Sequence, residues 1–218
     1  MNKNNGHRSL GHPLATGSLS NNLQLLWGNQ GIHSQYVLRL MNILTSNLFL
    51  IPFRMLEKNK WADKVDKVQI QNPPIFIIGS WRSGSTYLHN MMSHDSTLGF
   101  VSTLQAFCPD LCIESSNILV PLFRKLLPKM RPMDNMSMAL EYPQEEEYAL
   151  GNLSLLSFYH GYYLPSLMPS LFRLLSFQDS DEKIKNEWMR VYMTVLKKAT
   201  LIMKGRRLVL KNPLNTCR

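Results

Sequence analysis

An α/β fold with a parallel central sheet is predicted by three features of this 218-residue sequence. The stretch PPIFIIGSWRSGSTYLHNMMSHD, residues 73–95, reads as strand, loop and helix. A second short apolar run, RRLVLK at 206–211, is of the kind found in strands buried on both faces. Between them, 181–204 is a long segment with Ile184, Trp188, Val191, Tyr192, Val195 and Leu196 at helical spacing. Strand, long helical crossover and strand is the order that gives parallel pairing, with ligands at the carboxyl ends of the strands.

Taken in order, residues 1–22 are rich in Asn, Gly, Ser and His and contain no apolar run. They read as a disordered leader without a secretory signal, and His7 and His12 as solvated tail residues rather than a metal site. Residues 23–57 form an apolar helical segment. Within it, 36–56 is long enough to span a bilayer but is interrupted by Arg39, Asn42, Ser46, Asn47 and Arg54 and kinked by Pro52. A helix packed on the domain, an interfacial helix in peripheral membrane contact and a membrane span are the readings open. Residues 58–72 read as a charged linker to the domain at 73–218.

In that domain, Ile75 to Ile78 is the first strand, after two prolines. Gly79 to Gly84 is a glycine-bounded loop, and Tyr87, Leu88, Met91 and Met92 mark the helix that follows. Such a loop offers free backbone N–H groups and a helix dipole to an anion. The nucleotide phosphate loop is G-x-x-x-x-G-K-[ST]. Gly79, Gly84 and Thr86 match it, but Ser85 stands at the lysine that neutralises a triphosphate. With Arg82 present, the loop fits one 5′ anion cluster. A P-loop kinase or NTPase is the alternative this disfavours.

LGFVST at 98–103 reads as another strand, and the prolines between 108 and 138 break that region into short helices and turns over a site. At Glu145, Glu146 and Glu147 a helix begins. Acidic residues there complement the dipole, and a carboxylate there can equally serve as a general base. Tyr159, His160, Tyr162 and Tyr163 form an aromatic cluster that reads as core or as the wall of an acceptor pocket, in which His160 could also take a proton. His89 reads as a structural hydrogen bonder.

PIFIIGSWRSGST resembles the 5′-phosphosulfate loop of sulfotransferases that use 3′-phosphoadenosine 5′-phosphosulfate (PAPS), in the branch, resembling bacterial enzymes, that carries arginine where cytosolic animal enzymes carry lysine. The resemblance continues through VSTLQAF (101–107), RPMDNM (131–136), PQEEEYAL (143–150), SFYHGYY (157–163) and LVLKNPLNTCR (208–218). It implies a P-loop-like three-layer fold, a parallel sheet flanked by helices. It also implies PAPS as sulfuryl donor, held by Arg82, Ser83, Gly84, Ser85 and Thr86, and no metal. Catalytic roles are implied for Arg82 and Lys211, which neutralise charge, and for one of Glu145, Glu146 and Glu147 as base. Relatives often have a histidine soon after the lysine; Asn212 and Asn215 stand near that position here. Relatives also continue with a strand and an Arg…Ser pair that grips the 3′-phosphate. A chain ending at Arg218 is therefore expected to be a fragment or natural truncation, incomplete at its C-terminus, with an exposed sheet edge.

The net charge of +9 points to an anionic partner. The resemblance makes that partner the donor nucleotide rather than nucleic acid, with a small-molecule, lipid or glycan acceptor bearing a hydroxyl or amine. Cys108, Cys112 and Cys217 form neither a disulfide framework nor a zinc pattern. A cytoplasmic protein, membrane-associated if 36–56 lies on a bilayer, is the expectation. A non-catalytic, membrane-associated anion binder is the alternative outside enzymes.

Overall fold

A computed structural model of the chain describes residues 12–29, 32–114, 116–131, 136–177 and 180–218. His7, the first half of the expected leader and positions 132–135 lie outside the described residues.

The helices in chain order are α1 (Leu19–Trp27), α2 (Val37–Phe49), α3 (Ile51–Asp66), α4 (Ser85–Met92), α5 (Thr103–Phe107), α6 (Ser116–Leu126), α7 (Glu146–Leu153), α8 (His160–Tyr163), α9 (Met168–Leu171) and α10 (Glu182–Ile202). Three strands, β1 (Ile75–Ile77), β2 (Leu98–Gly99) and β3 (Arg207–Lys211), form a parallel sheet in the order β1-β3-β2. The register pairs Ile75 with Val209 and Ile77 with Lys211. Helix α10 is the crossover expected from 181–204. Asp181 caps it by accepting from the Lys183 N–H at 3.0 Å, and Lys204 and Gly205 leave it in the left-handed conformation.

The core forms because the apolar stripe of α10 meets the inner face of the sheet. Trp188, Val191, Tyr192, Val195, Leu196 and Ala199 pack with Leu208 and Leu210 of β3 and with Ala149 and Leu150 of α7. Each such side chain contributes about 1.5–3 kcal/mol by leaving water. Ile184 joins a second cluster with Phe158, Tyr159, Leu171, Leu174 and Leu214. On β1, just after it and on α4, by contrast, Phe76, Ile78, Tyr87 and Met91 are exposed, and β1 is an edge of the sheet.

Several expectations need correction. Residues 13–22 belong to the fold and not to a disordered leader. They form a short 3-10 helix at Pro13–Thr16 and the start of α1. Asn47 Nδ2 donates to the Ala15 carbonyl at 2.7 Å, Arg54 donates to the Thr16 carbonyl at 2.8 Å, and the Thr16 hydroxyl donates to the Phe107 carbonyl. His12 is likewise packed against the Tyr163 ring, and burial lowers its imidazole pKa to about 4. The apolar segment is two helices, α2 and α3, bent by 42° at Leu50. Pro52 lies in the first turn of α3, where its missing N–H costs nothing. No single helix among the described residues is long and apolar enough to cross a membrane. The linker expected at 58–72 is helical up to Asp66. Glu57 on α3 is buried and accepts from the Ile113 and Glu114 N–H groups, both at 3.1 Å, and from Lys198 of α10 at 3.3 Å. The strand expected over 98–103 keeps only Leu98–Gly99, because Ser102 turns the chain into α5 with a capping box.

Candidate active site

The loop between β1 and α4 has the shape an anion cradle requires. Gly84, just before α4, has φ 81°, and Arg82 adopts the same left-handed region at φ 66°. An arginine there costs about 1–2 kcal/mol, and such strain gathers at functional sites. At Gly79 the Ser83 hydroxyl comes close: an added Cβ would lie 2.9 Å from Ser83 Oγ and would turn that hydroxyl aside. Its N–H donates to Thr216 Oγ1 at 3.2 Å, tying the loop to the segment after β3. Ser83 Oγ donates to the Ser80 carbonyl at 2.7 Å. Residues 82–84 are exposed and Ser85 and Thr86 half-buried, so the amides at the helix start face an accessible space.

Lys211 ends β3 in register with Ile77, two residues before the loop glycine. It is 5% exposed, and its ammonium donates to Glu145 Oε1. The other Glu145 oxygen accepts from the Tyr159 hydroxyl. Burial lowers the pKa of His89 on α4 to about 4; the bond to the Val209 carbonyl opposes this, and the Lys211 charge reinforces it.

The structure separates the three adjacent glutamates. Glu145 precedes α7 and alone among them faces Lys211. Glu147 is fully buried: Ser157 Oγ, the Phe158 N–H, Asn212 Nδ2 and Arg218 all donate to it, at 2.9, 3.1, 3.2 and 2.8 Å. Arg218 in turn stacks on Trp188 at 4.6 Å. Glu146 is also fully buried, with Oε1 accepting from Tyr192 and Asn215 at 3.2 and 2.7 Å and Oε2 without a partner among the described residues.

Burial raises the Glu146 carboxyl from 4.5 to about 7; the Asn215 bond opposes this, and the charges of Glu147 and Glu145 reinforce it. Its folded value lies above its unfolded one, so folding favours the protonated form. The resulting penalty is absent below pH 4.5 and grows to roughly 3 kcal/mol as pH rises through about 7. Glu146→Gln is therefore expected to flatten the loss of thermal stability between about pH 5 and about pH 8. Identical pH slopes for the two proteins would assign that loss to another group.

The expected pocket wall is corrected in part. His160 is buried, with its Nε2 donating to the Ser154 carbonyl at 2.9 Å. Tyr159 serves the Glu145 carboxylate, and burial next to that charge pushes its hydroxyl well above its ordinary pKa, so it stays a donor. Tyr162 is half-exposed; burial raises its hydroxyl pKa, and the Trp81 side chain of the loop opposes this. None of the three lines the large cavity. That cavity, about 570 Å³, lies between α2, α5 and α6 and is walled mostly by apolar side chains, Phe49, Leu50, Phe107, Leu122, Phe123 and Leu140 among them. Gln144 and Tyr148, on either side of Glu145, line it too. These residues come from five separate stretches, so no local sequence signal reveals them. Thr216 and Arg218 were also missed; the NPLNTCR stretch carries their signal only through the resemblance. Among the described residues no group of three or more His, Cys, Asp or Glu could hold a metal ion.

A phosphate-type loop after one parallel strand and a buried Lys–Glu pair at the end of its neighbour place the candidate site at the strand ends of an α/β domain. Comparison with known proteins gives the family. The Sulfotransferase family model matches residues 73–216, and the chain belongs to that family. It is 26% identical over 162 residues to the omega-hydroxy-beta-dihydromenaquinone-9 sulfotransferase Stf3 of Mycobacterium bovis, covering 74% of this chain and 41% of the relative. The protein of that name from Mycobacterium tuberculosis gives the same figures. The crystal structure of sulfotransferase STF1 from Mycobacterium tuberculosis H37Rv is similar in fold, with TM-score 0.53 and 18% identity over 94% of this chain and 56% of that one. The chain thus spans about two fifths of the length of the curated relatives it matches.

Proposed function

We propose that the chain binds PAPS at the 79–86 loop and transfers its sulfuryl group to a hydroxyl or amine of an organic acceptor. The observation that carries this reading is the Lys211–Glu145 pair, held by Tyr159 at the strand end beside an anion loop that lacks the NTPase lysine. The donor set fits a phosphosulfate: backbone amides at the start of α4, the hydroxyls of Ser83, Ser85 and Thr86, and two cations, Arg82 and Lys211. As the acceptor oxygen bonds to sulfur, its proton passes to the Glu145 carboxylate. The sulfur–oxygen bond to the 5′-phosphate breaks with its electron pair staying on the phosphate. Lys211 and Arg82 neutralise that charge, and Lys211 can do so by turning from Glu145, which frees the carboxylate for the proton. The acceptor of the curated relatives, by their printed name, is a hydroxylated menaquinone. A hydroxyl attached to a large apolar body suits the cavity beside Gln144 and Tyr148.

The test is transfer of labelled sulfuryl from PAPS to alcohol acceptors by the wild-type chain and by Arg82→Ala. Loss of one charged stabiliser is expected to lower the rate ~10²–10³-fold with the melt unchanged, because Arg82 is exposed. A rate near wild type would remove Arg82 from the mechanism, and absence of both PAPS binding and transfer in the wild type would overturn the reading.

A further inference from the structure

Helix α2 is apolar on two opposite faces. Ile43 and Leu50 turn inward, while Val37, Leu38, Met41 and Leu48 form an outward stripe, with Leu38 80% and Leu48 61% exposed. A helix that packs on the domain needs only the first face. A second outward apolar stripe lies on α6, where Ile118, Leu122 and Leu126 are 64, 44 and 38% exposed. The two stripes are linked by the cavity. Phe49 of α2 and Leu122 and Leu126 of α6 line the cavity and are themselves exposed, so its mouth opens between these helices. Exposed cations accompany the α6 stripe: Arg124 and Lys125 in the last turn of α6, and Lys129 just beyond. Arg124 is paired with Glu141.

Exposed leucines beside lysines and arginines match the boundary between acyl chains and anionic headgroups. We propose that the α2–α6 face seats on a bilayer surface bearing anionic lipid. The cavity between the helices then receives the hydrocarbon part of an acceptor held in that bilayer. The second half rests on the sulfuryl-transfer reading of the site, whereas the first does not. The geometry suits such an acceptor: the mouth faces the acyl chains, and Gln144 and Tyr148, which flank Glu145 in sequence, are among the lining residues.

The seat is tested by co-sedimentation of the full chain with vesicles of phosphatidylcholine alone and of equal parts phosphatidylcholine and phosphatidylglycerol. Binding to the mixed vesicles is expected, weaker on the neutral ones and falling with added salt. Lys125→Glu with Lys129→Glu is expected to weaken it by on the order of tenfold or more. Leu38→Asp with Leu48→Asp is expected to weaken it by on the order of a hundredfold, with an unchanged melt because both sites are exposed. No binding to mixed vesicles, or binding of the leucine variant equal to wild type, overturns the seat. So does light scattering that shows a dimer which the leucine variant splits, since a second copy would then cover the face.

Glu145→Gln should keep vesicle binding. For the cavity, kcat/KM with a long-chain primary alcohol is expected to exceed that with a short-chain one by on the order of tenfold or more. Equal values overturn the chain path. No transfer to either alcohol, with vesicle binding intact, overturns the transfer reading and the chain path together and leaves the seat standing.

Discussion

Glu145→Gln is expected to lower the chemical rate of sulfuryl transfer by ~10²–10⁴ with little effect on PAPS affinity. In the proposed reaction the carboxylate is required only when the acceptor proton moves, whereas the loop would hold the nucleotide. The amide keeps the size of the side chain and an oxygen to accept from Lys211, while its NH2 can donate to the Tyr159 hydroxyl oxygen in place of the bond that Oε2 accepts. It cannot take a proton at neutral pH. The measurement is single-turnover transfer beside donor titration and a thermal melt. A loss confined to donor affinity would mean that Glu145 only orients Lys211. An unchanged rate would end its candidacy, and with Glu146 and Glu147 enclosed among protein groups, no other glutamate of the cluster could replace it.

The adjacent Glu147 should behave in the opposite way. Glu147→Ala leaves Arg218 buried without its carboxylate and removes the acceptor for Ser157, the Phe158 N–H and Asn212. Breaking a buried pair from one side costs about 3–5 kcal/mol, a large part of the roughly 5–15 kcal/mol that holds a domain together. For a chain of this length the melting temperature is expected to fall by about 10 °C or more. Removing both partners, as in Glu147→Leu with Arg218→Met, should recover much of the loss, because no charge is then stranded. A melt of Glu147→Ala within a degree or so of wild type would show that water already reaches this site.

The features legible in the sequence were those whose partners lie nearby in the chain. The strand, loop and helix at 73–95 carry their own signal in two glycines and an apolar run, and Lys211 follows from strand order alone. The N-terminal region was misread because its order depends on distant groups. Asn47 and Arg54, which look like interruptions of an apolar helix, are the residues that hold Ala15 and Thr16. The glutamates could not be ranked for a similar reason. Glu145 is the extended residue before α7, and Glu146 and Glu147 are successive helical residues turned by about 100°, so each meets a different neighbour: the end of β3, helix α10, and the segment at 157–158 with Arg218. The cavity was illegible because its walls meet only after folding.

Strand β3 is buried at every position from Leu208 to Lys211. Its three apolar residues would satisfy the sheet almost as well after sliding by one position, since both sides of the strand are covered. Apolar content therefore does little to proofread the alignment of this strand. Polar groups do: a slide by one would swing the Lys211 ammonium away from Glu145 and place Asn212 opposite Ile77. The Lys211–Glu145 ion pair, which we propose serves sulfuryl transfer, thus also checks the assembly of the sheet. A misaligned chain would be left with a buried cation and no partner, so the two side chains proposed for the chemistry also guard the alignment of the strand.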